Sequence, residues 1–238
     1  MFKSVFDISQ HYHPTEGRKI FALFQQKQRF EIKYILPFTR KHIFYMETAH
    51  LEIISFVSQI IPIDETAKRH IIEAFEPIET PKNTLLEREG KPTQFLYFIN
   101  KGFVRVYHID NGEDRTTQIN CPSRFITSFQ SFITHTPAYD NVQTITDCEL
   151  LRISKSKLDD LNKKISHWNI FREKLYQTSL MFNEERNRDM ILLNAEGRYK
   201  KLMKTQPEIL KNVPLQFIAS YIGIKPESLS RIRRQLIS

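Results

Sequence analysis

Two charged side chains near the C-terminus, Glu227 and Arg231, are of the types that read base edges in DNA. An arginine can bond bidentately to guanine O6 and N7, and a glutamate can accept a hydrogen bond from the cytosine N4 amino group. The polar side chains around them suit phosphate contacts, which fix register without reading sequence; they are Lys225, Ser228, Ser230 and Arg234. The alternative for Glu227 and Arg231 is an i, i+4 ion pair on a solvated helix, which contributes only about 0.2–0.5 kcal/mol.

The segment that holds these residues, 215–236, has the spacing of a helix-turn-helix. Ala219 is small where the first helix must admit the second, and Gly223 can take the positive φ that the turn requires. Pro226 suits the first turn of the second helix, because its missing N–H costs nothing there. Apolar residues fall at the positions that would fill the wedge between the helices, namely Ile218, Ile222, Ile224, Leu229 and Ile232. The pattern predicts a recognition helix for the major groove; the alternative is an ordinary helical hairpin with a glycine turn.

The formal net charge of +8 is concentrated at the two ends of the chain. Residues 190–238 carry nine Lys/Arg and three Asp/Glu, and residues 1–50 carry eight and four, whereas the middle of the chain is close to neutral. A basic segment beside a helix-turn-helix is what binding to phosphates requires. Scattered solubilising lysines would explain the total charge but not its position.

Composition argues against several other classes of protein. Two cysteines, Cys121 and Cys148, are too few for a disulfide framework or a zinc site. No apolar run reaches the ~18–20 residues of a membrane span, and the first residues lack the apolar core and cleavage site of a signal peptide. We therefore expect a cytoplasmic protein without a membrane partner. Residues 1–45 are basic and aromatic without a period and form a poorly assigned N-terminal extension; Met46 is the alternative natural start.

Between residues 50 and 153 the hydrophobic pattern changes from helical to strand-like. Apolar residues recur at helical spacing from Leu51 to Ile61, and Asp64 can cap a second helix over 65–75. Short strand-like runs follow at 84–87, 95–100, 103–109, 116–120, 142–146 and 150–153. Asp110-Asn111-Gly112 is a hairpin turn signal between two of them. Several short strands at this spacing predict a small antiparallel barrel or sandwich.

A narrow apolar stripe follows the strands at spacings of three and four residues. Its members are Trp168, Phe171, Leu175, Thr178 and Phe182. A stripe of this width is typical of a helix-on-helix seam, so we expect a homodimer through Trp168, Phe171, Leu175 and Phe182. The alternative is packing of the stripe against the barrel of its own chain.

The order of these parts resembles the Crp/Fnr family of bacterial transcription regulators. The residues that carry the resemblance are LLEREGKPTQFLYFINKGFVRVY (85–107), CELLRIS (148–154) and IASYIGIKPESLSRIRR (218–234). The resemblance implies an α+β fold with N-terminal helices, an antiparallel, jelly-roll-like β-roll, a long dimerisation helix and a small helix-turn-helix domain. It divides the chain into a cyclic-nucleotide-binding-like sensor domain at 46–160, a dimerisation helix at 161–190 and a DNA-binding domain at 191–238.

The phosphate cassette of cyclic-AMP-binding family members is altered in this chain. Those members carry Phe-Gly-Glu and, further on, Arg-Ser or Arg-Ala; the glutamate takes the ribose hydroxyl and the arginine pairs with the cyclic phosphate. Here the matching stretches read Phe125-Ile126-Thr127-Ser128 and Pro137-Ala138-Tyr139-Asp140. Asp140 would repel a phosphate, so cyclic AMP is not the expected ligand and the effector stays unknown. The candidate ligand-binding residues are Arg124, Thr127, Ser128 and Tyr139.

The resemblance implies double-stranded DNA as a partner and RNA polymerase as a further one. A two-fold dimer would place two recognition helices in successive major grooves about 34 Å apart, on an inverted repeat. Many family members continue past the recognition helix into a β-hairpin, so modest DNA affinity is expected of a chain that ends at Ser238. Two rivals remain: a partner-binding or ligand-sensing β-roll that does not read DNA, and a metal enzyme with a cupin-like barrel. The second has only His108 and His135 for ligands, without a catalytic motif.

Overall fold

Two short helices begin the part of the chain that the computed structural model describes, residues 49–237. Helix α1 spans Leu51–Ser58 and helix α2 spans Glu65–Ala74. Helix α2 starts at the predicted cap, where the Asp64 carboxylate accepts a hydrogen bond from the backbone N–H of Ala67 at 2.7 Å. The proposed extension 1–45 and the alternative start Met46 lie outside the described residues.

Eight strands form two four-stranded antiparallel sheets, β1-β8-β3-β6 and β2-β7-β4-β5. The strands are β1 (Glu76–Thr80), β2 (Leu85–Glu87), β3 (Phe95–Lys101), β4 (Val104–Asp110), β5 (Glu113–Asn120), β6 (Arg124–Ile126), β7 (Asn141–Thr144) and β8 (Cys148–Ser154). Asn111 and Gly112 both have positive φ, 50° and 79°, as a two-residue turn between β4 and β5 requires. The predicted turn chemistry therefore fixes this hairpin, which we call the β4–β5 hairpin.

Seven further helices complete the described chain. The short helix α3 (Phe129–Thr134) lies between β6 and β7, and α4 (Lys155–Lys164) follows β8. The long helix α5 runs from Trp168 to Leu192. Helices α6 (Ala195–Thr205), α7 (Pro207–Asn212), α8 (Leu215–Tyr221) and α9 (Pro226–Ile237) make the C-terminal helical region. This mixed architecture confirms the predicted fold class, although β1 and β6 were not predicted, and the segment 161–190 is divided between α4 and α5.

The apolar stripe of α5 packs inside its own chain. Trp168 and Phe171 are fully buried and Leu175 is 7% exposed. All three belong to a core shared with α1, α2, α4 and the β-roll, and the ring of Phe171 lies 4.6 Å from that of Trp168 and 6.1 Å from that of Phe125. The predicted dimer seam is therefore wrong for Trp168, Phe171 and Leu175, because side chains already buried in one chain cannot meet a second copy. A dimer contact of Phe182, which is half-buried, stays a prediction.

Candidate nucleic-acid interface

Helices α8 and α9 meet through a tight turn at Gly223. Gly223 has φ 75°, and the N–H of Ile224 donates to the carbonyl of Ala219 at 3.0 Å, which closes the C-terminus of α8. A Cβ on Gly223 would lie 2.7 Å from the Cε of Met190 in α5. The turn therefore needs glycine for its backbone conformation, whereas the end of the Met190 side chain can move aside.

The wedge between the two helices is apolar, as the spacing predicts. Ala219 and Leu229 are fully buried, and Ile218 and Ile222 are nearly so. The rest of this core comes from the α6–α7 region and from the β-roll; its members are Tyr199, Leu202, Ile209, Val213, Phe103, Ile119 and Ile145. Ile224 and Ile232 pack against it while partly exposed. The burial of one face of α9 fixes which of its side chains are free to meet a partner.

The opposite face of α9 carries the predicted DNA-binding residues. Glu227, Arg231 and Arg234 are exposed, and Ser228 and Ser230 are half-buried. Within residues 49–237, neither Glu227 nor Arg231 makes an ion pair or a side-chain hydrogen bond, so the alternative of a mutual i, i+4 pair is not formed. The guanidinium of Arg234 reaches only the carbonyl of Ser230, at 3.5 Å.

Most other cations of the C-terminal region are already paired. The ammonium of Lys200 contacts Glu196, that of Lys211 contacts Glu208, and that of Lys201 contacts both Glu185 and Asp189, all within 2.6–2.7 Å. By contrast, the three arginines of α9 have no carboxylate partner in the part of the chain that the structure describes; they are Arg231, Arg233 and Arg234. The unpaired positive charge of this region is thus concentrated on the exposed face of one helix.

Lys225 differs from the other predicted DNA-binding residues, because it contacts the β-roll. Its ammonium lies 2.8 Å from a carboxylate oxygen of Glu113, at the start of β5. The pair holds the pKa of Glu113 below its usual value, chiefly through the hydrogen bond from Lys225. No local sequence pattern predicts this contact, since the two residues are 112 positions apart.

A second set of contacts joins α8 to the β4–β5 hairpin. The guanidinium of Arg105 in β4 is sandwiched between the rings of Tyr107 and Phe217, 4.0 and 3.8 Å from their centroids. It also binds both carboxylate oxygens of Asp114 at 2.6 Å. The Ser220 hydroxyl accepts from the N–H of Thr116 at 2.8 Å and donates to the carbonyl of Asp114 at 3.1 Å. These contacts hold the first helix of the helix-turn-helix on the outside of the β-roll.

The candidate ligand-binding residues of the β-roll are brought together only in part. Thr127 and Ser128 are buried; the Thr127 hydroxyl donates to the carbonyl of Phe95, and that of Ser128 donates to Asp140 at 3.3 Å. Burial raises the pKa of Asp140 above its usual value. Arg124 and Tyr139 are exposed instead, and Tyr139 is 73% exposed. A half-buried acid, Asp140, therefore lies beside the place of the family's phosphate-pairing arginine.

Neither a metal site nor a membrane span is found in residues 49–237. No group of three His, Cys, Asp or Glu side chains in this part of the chain is arranged to hold a metal ion. Over the same residues, no helix combines the length and the apolar character needed to cross a bilayer.

Comparison with known proteins supports the resemblance seen in the sequence. Residues 77–164 match the family model of the cyclic nucleotide-binding domain. No curated protein matches the chain.

Solved structures of bacterial regulators share the fold. FixK2 from Bradyrhizobium japonicum is 15% identical, with a TM-score of 0.58 over 68% of this chain and 84% of its own. The c-di-GMP responsive global regulator CLP from Xanthomonas campestris is 20% identical, with a TM-score of 0.55 over 73% and 91%. A protein from Eubacterium rectale described as a regulator of the Crp/Fnr family is 15% identical, with a TM-score of 0.58 over 74% and 87%. Residues 77–164 are thus similar to the cyclic nucleotide-binding domain, and the chain shares the fold of these solved structures.

Proposed function

Given the fold of a Crp/Fnr regulator, we propose that the chain is a sequence-specific DNA-binding transcriptional regulator. The observation that carries the proposal is the exposed face of α9. Glu227 and Arg231 stand there without partners among the described residues, on the second helix of a helix-turn-helix whose other face is buried. An unpaired guanidinium on a solvated helix keeps its five donors available, which bidentate recognition of guanine requires.

The roles of the individual side chains follow from their positions along α9. Residues in the N-terminal part of a recognition helix reach base edges, so Arg231 reads guanine and Glu227 accepts from cytosine. Lys225, Ser228, Ser230 and Arg234 bind phosphates, which position the helix. Lys225 must leave Glu113 to do so.

The regulator acts as a homodimer through a different face of α5 from the buried stripe. Ile170, Leu180 and Met181 are large apolar side chains that a single chain leaves exposed on this helix. At 100° per residue Ile170 and Met181 lie on nearly the same face, and Leu180 lies on its border. A second copy seated on this face would set two recognition helices on successive major grooves, about 34 Å apart, over an inverted repeat.

Cyclic AMP is not the effector of the β-roll in this proposal. The half-buried carboxyl group of Asp140, bonded to Ser128, lies in the altered cassette, where a cyclic phosphate would require a cation. A charged Asp140 would repel the phosphate, and a protonated one would offer it a single donor instead of a guanidinium fork.

The experiment that tests the proposal is selection of bound fragments from random double-stranded DNA. We compare the wild type with Arg231→Ala and with the matched variant Arg233→Ala, which removes the same charge from the same helix. Wild type should recover an inverted repeat; Arg231→Ala should relax one position of it, at a cost of about 1–3 kcal/mol for the lost base contact. Arg233→Ala should weaken binding and keep the motif.

Two outcomes would contradict the proposal. Salt-sensitive binding without a motif in any variant would leave a basic module that does not read sequence. No binding at all would favour the alternative, a β-roll that senses a ligand or partner and does not read DNA.

A further inference from the structure

The acid at the tip of the β4–β5 hairpin contacts the residue that directly precedes the recognition helix. Glu113 contacts Lys225 at 2.8 Å, and Lys225 directly precedes Pro226, the first residue of α9. The start of a recognition helix is where backbone and side-chain donors meet DNA phosphates. We propose that Glu113 is an intramolecular competitor of DNA, whose carboxylate occupies Lys225 in place of a phosphate oxygen. This inference rests on the proposed DNA-binding function.

The geometry of the hairpin holds the Glu113 carboxylate at this position. The next residue, Asp114, is bound through both carboxylate oxygens by the buried guanidinium of Arg105, and its carbonyl accepts from the Ser220 hydroxyl. The backbone on either side of Glu113 is thus tied to the β-roll and to α8 at once. An ordinary surface ion pair relies on two freely moving side chains, whereas this one joins two backbones already fixed against each other.

A second cation beside Glu113 makes the exchange with DNA possible. The guanidinium of Arg115 lies 2.9 Å from the other carboxylate oxygen of Glu113. When Lys225 leaves for a phosphate, Glu113 keeps Arg115 as its partner and is not left as an uncompensated charge. Glu113 therefore lowers DNA affinity without blocking it, which is the behaviour of a competitor.

Both Lys225 and the Glu113 carboxylate contribute to the expected change in DNA affinity. A Lys225 ammonium bound to Glu113 is not available to a phosphate, and the Glu113 carboxylate itself repels the DNA backbone. Both groups are solvent-exposed, so the effect of removing one exposed pair is a severalfold change in affinity, about two- to fivefold. Removing the Glu113 carboxylate should also alter the salt dependence of DNA binding. A free lysine adds one phosphate contact and steepens the slope of log affinity against log salt concentration by up to about 0.9.

A double-mutant cycle tests the inference. The proteins are wild type, Glu113→Gln, Lys225→Gln and the double variant, titrated by fluorescence anisotropy with a labelled pool of random-sequence duplexes at several salt concentrations. Glu113→Gln should bind about two- to fivefold more tightly than wild type, with the steeper slope. In the Lys225→Gln background the same change should have a smaller effect, since no lysine remains to be released.

The matched control removes an equal charge from an ion pair within the β-roll. Glu149→Gln breaks the contact with Lys101, 3.1 Å away, and should leave the affinity within the error of wild type. Circular dichroism and the fluorescence of Trp168 establish that each variant is folded.

The outcomes separate this inference from the proposed function. If Glu113→Gln binds like wild type, or gains equally with and without Lys225, Glu113 is not a competitor although the protein binds DNA. An equal gain in Glu149→Gln would attribute the effect to net charge and also overturn the inference. Absence of salt-sensitive binding in all variants would instead contradict the proposed function.

Discussion

Replacing Arg105 by methionine should release α8 from the β-roll. Methionine keeps an unbranched side chain between the rings of Tyr107 and Phe217 but removes every polar contact of the guanidinium. Those contacts are the two 2.6 Å bonds to Asp114 and the bonds to Gln143 and Thr116 at 2.7–3.1 Å. Arg105 thus joins α8 to both β5 and β7 through one side chain.

The free-energy cost of Arg105→Met follows from the burial of Arg105 and of its partner Asp114. Loss of one member of a fully buried pair costs about 3–5 kcal/mol. The Arg105 side chain is 4% exposed but that of Asp114 is 37% exposed, so water compensates part of the loss and about 1–2 kcal/mol remains. The two cation–π contacts add about 1 kcal/mol after the packing of methionine is allowed for. We expect a total of about 2–3 kcal/mol.

Hydrogen exchange measured by mass spectrometry shows which part of the chain loses stability. The amides of 215–221 should exchange at least about 30-fold faster in Arg105→Met than in wild type, since each 1.4 kcal/mol is a tenfold change. The matched control is Arg152→Met, which breaks a comparable two-bond pair with Glu76 and a contact with the Phe95 ring. That pair lies within one sheet and is more exposed, so α8 should be unaffected. Equal exchange of 215–221 in the two variants would refute the assignment of Arg105 to the interface.

Three further predictions concern burial, backbone conformation and protonation. Phe171→Ala should lower the free energy of unfolding in urea by about 3–4 kcal/mol, because the ring is fully buried in one chain; a stable variant that loses only its dimer would contradict this. Gly102→Ala should destabilise by more than Gly112→Ala, since both have positive φ but only the Cβ at position 102 would meet a backbone atom, the carbonyl oxygen of Asp147 at 2.5 Å; equal thermal midpoints would contradict it. Asp140→Asn should raise stability at neutral pH and lose that advantage in acid. Burial raises the pKa of the Asp140 carboxyl in the folded state. The carboxyl therefore stabilises the fold at pH values below its unfolded-state pKa, and this contribution is lost as the pH rises through its folded-state pKa. A difference in the free energy of unfolding between wild type and Asp140→Asn that does not change with pH would refute the prediction.

Local chemistry made several elements predictable from the sequence. Asp64 caps α2, Asn111 and Gly112 form the hairpin turn, and Gly223 takes a positive φ between α8 and α9. Each depends on backbone bonds within a few residues, which residue type and spacing determine directly. The exposed face of α9 follows from the same periodicity, because burial of Leu229 fixes the opposite side of the helix.

The partner of a surface could not be predicted in the same way. The period of Trp168, Phe171 and Leu175 shows that one face of α5 is buried but not whether a second copy or the chain's own β-roll buries it. Likewise, Ser220 meets Thr116 across 104 positions and Lys225 meets Glu113 across 112. Such contacts depend on how two folded parts are arranged, and no local pattern records that.

Helix α5, the β4–β5 hairpin and a shared apolar core connect the β-roll to the helix-turn-helix. The first half of α5 belongs to the β-roll core through Phe171, and its second half donates from Arg186 to the carbonyls of Thr116 and Tyr221, at 3.3 and 3.1 Å. The hairpin makes a second connection through Glu113 and Lys225. A helical region held both by α5 and by the hairpin cannot turn about one without straining the other. A ligand that binds more tightly to the β-roll when α5 is displaced would therefore weaken the contact between Glu113 and Lys225. The difference between its affinities for the displaced and undisplaced states would set how far it frees Lys225 for DNA. The same reasoning implies that DNA should strengthen the binding of such a ligand by an equal factor.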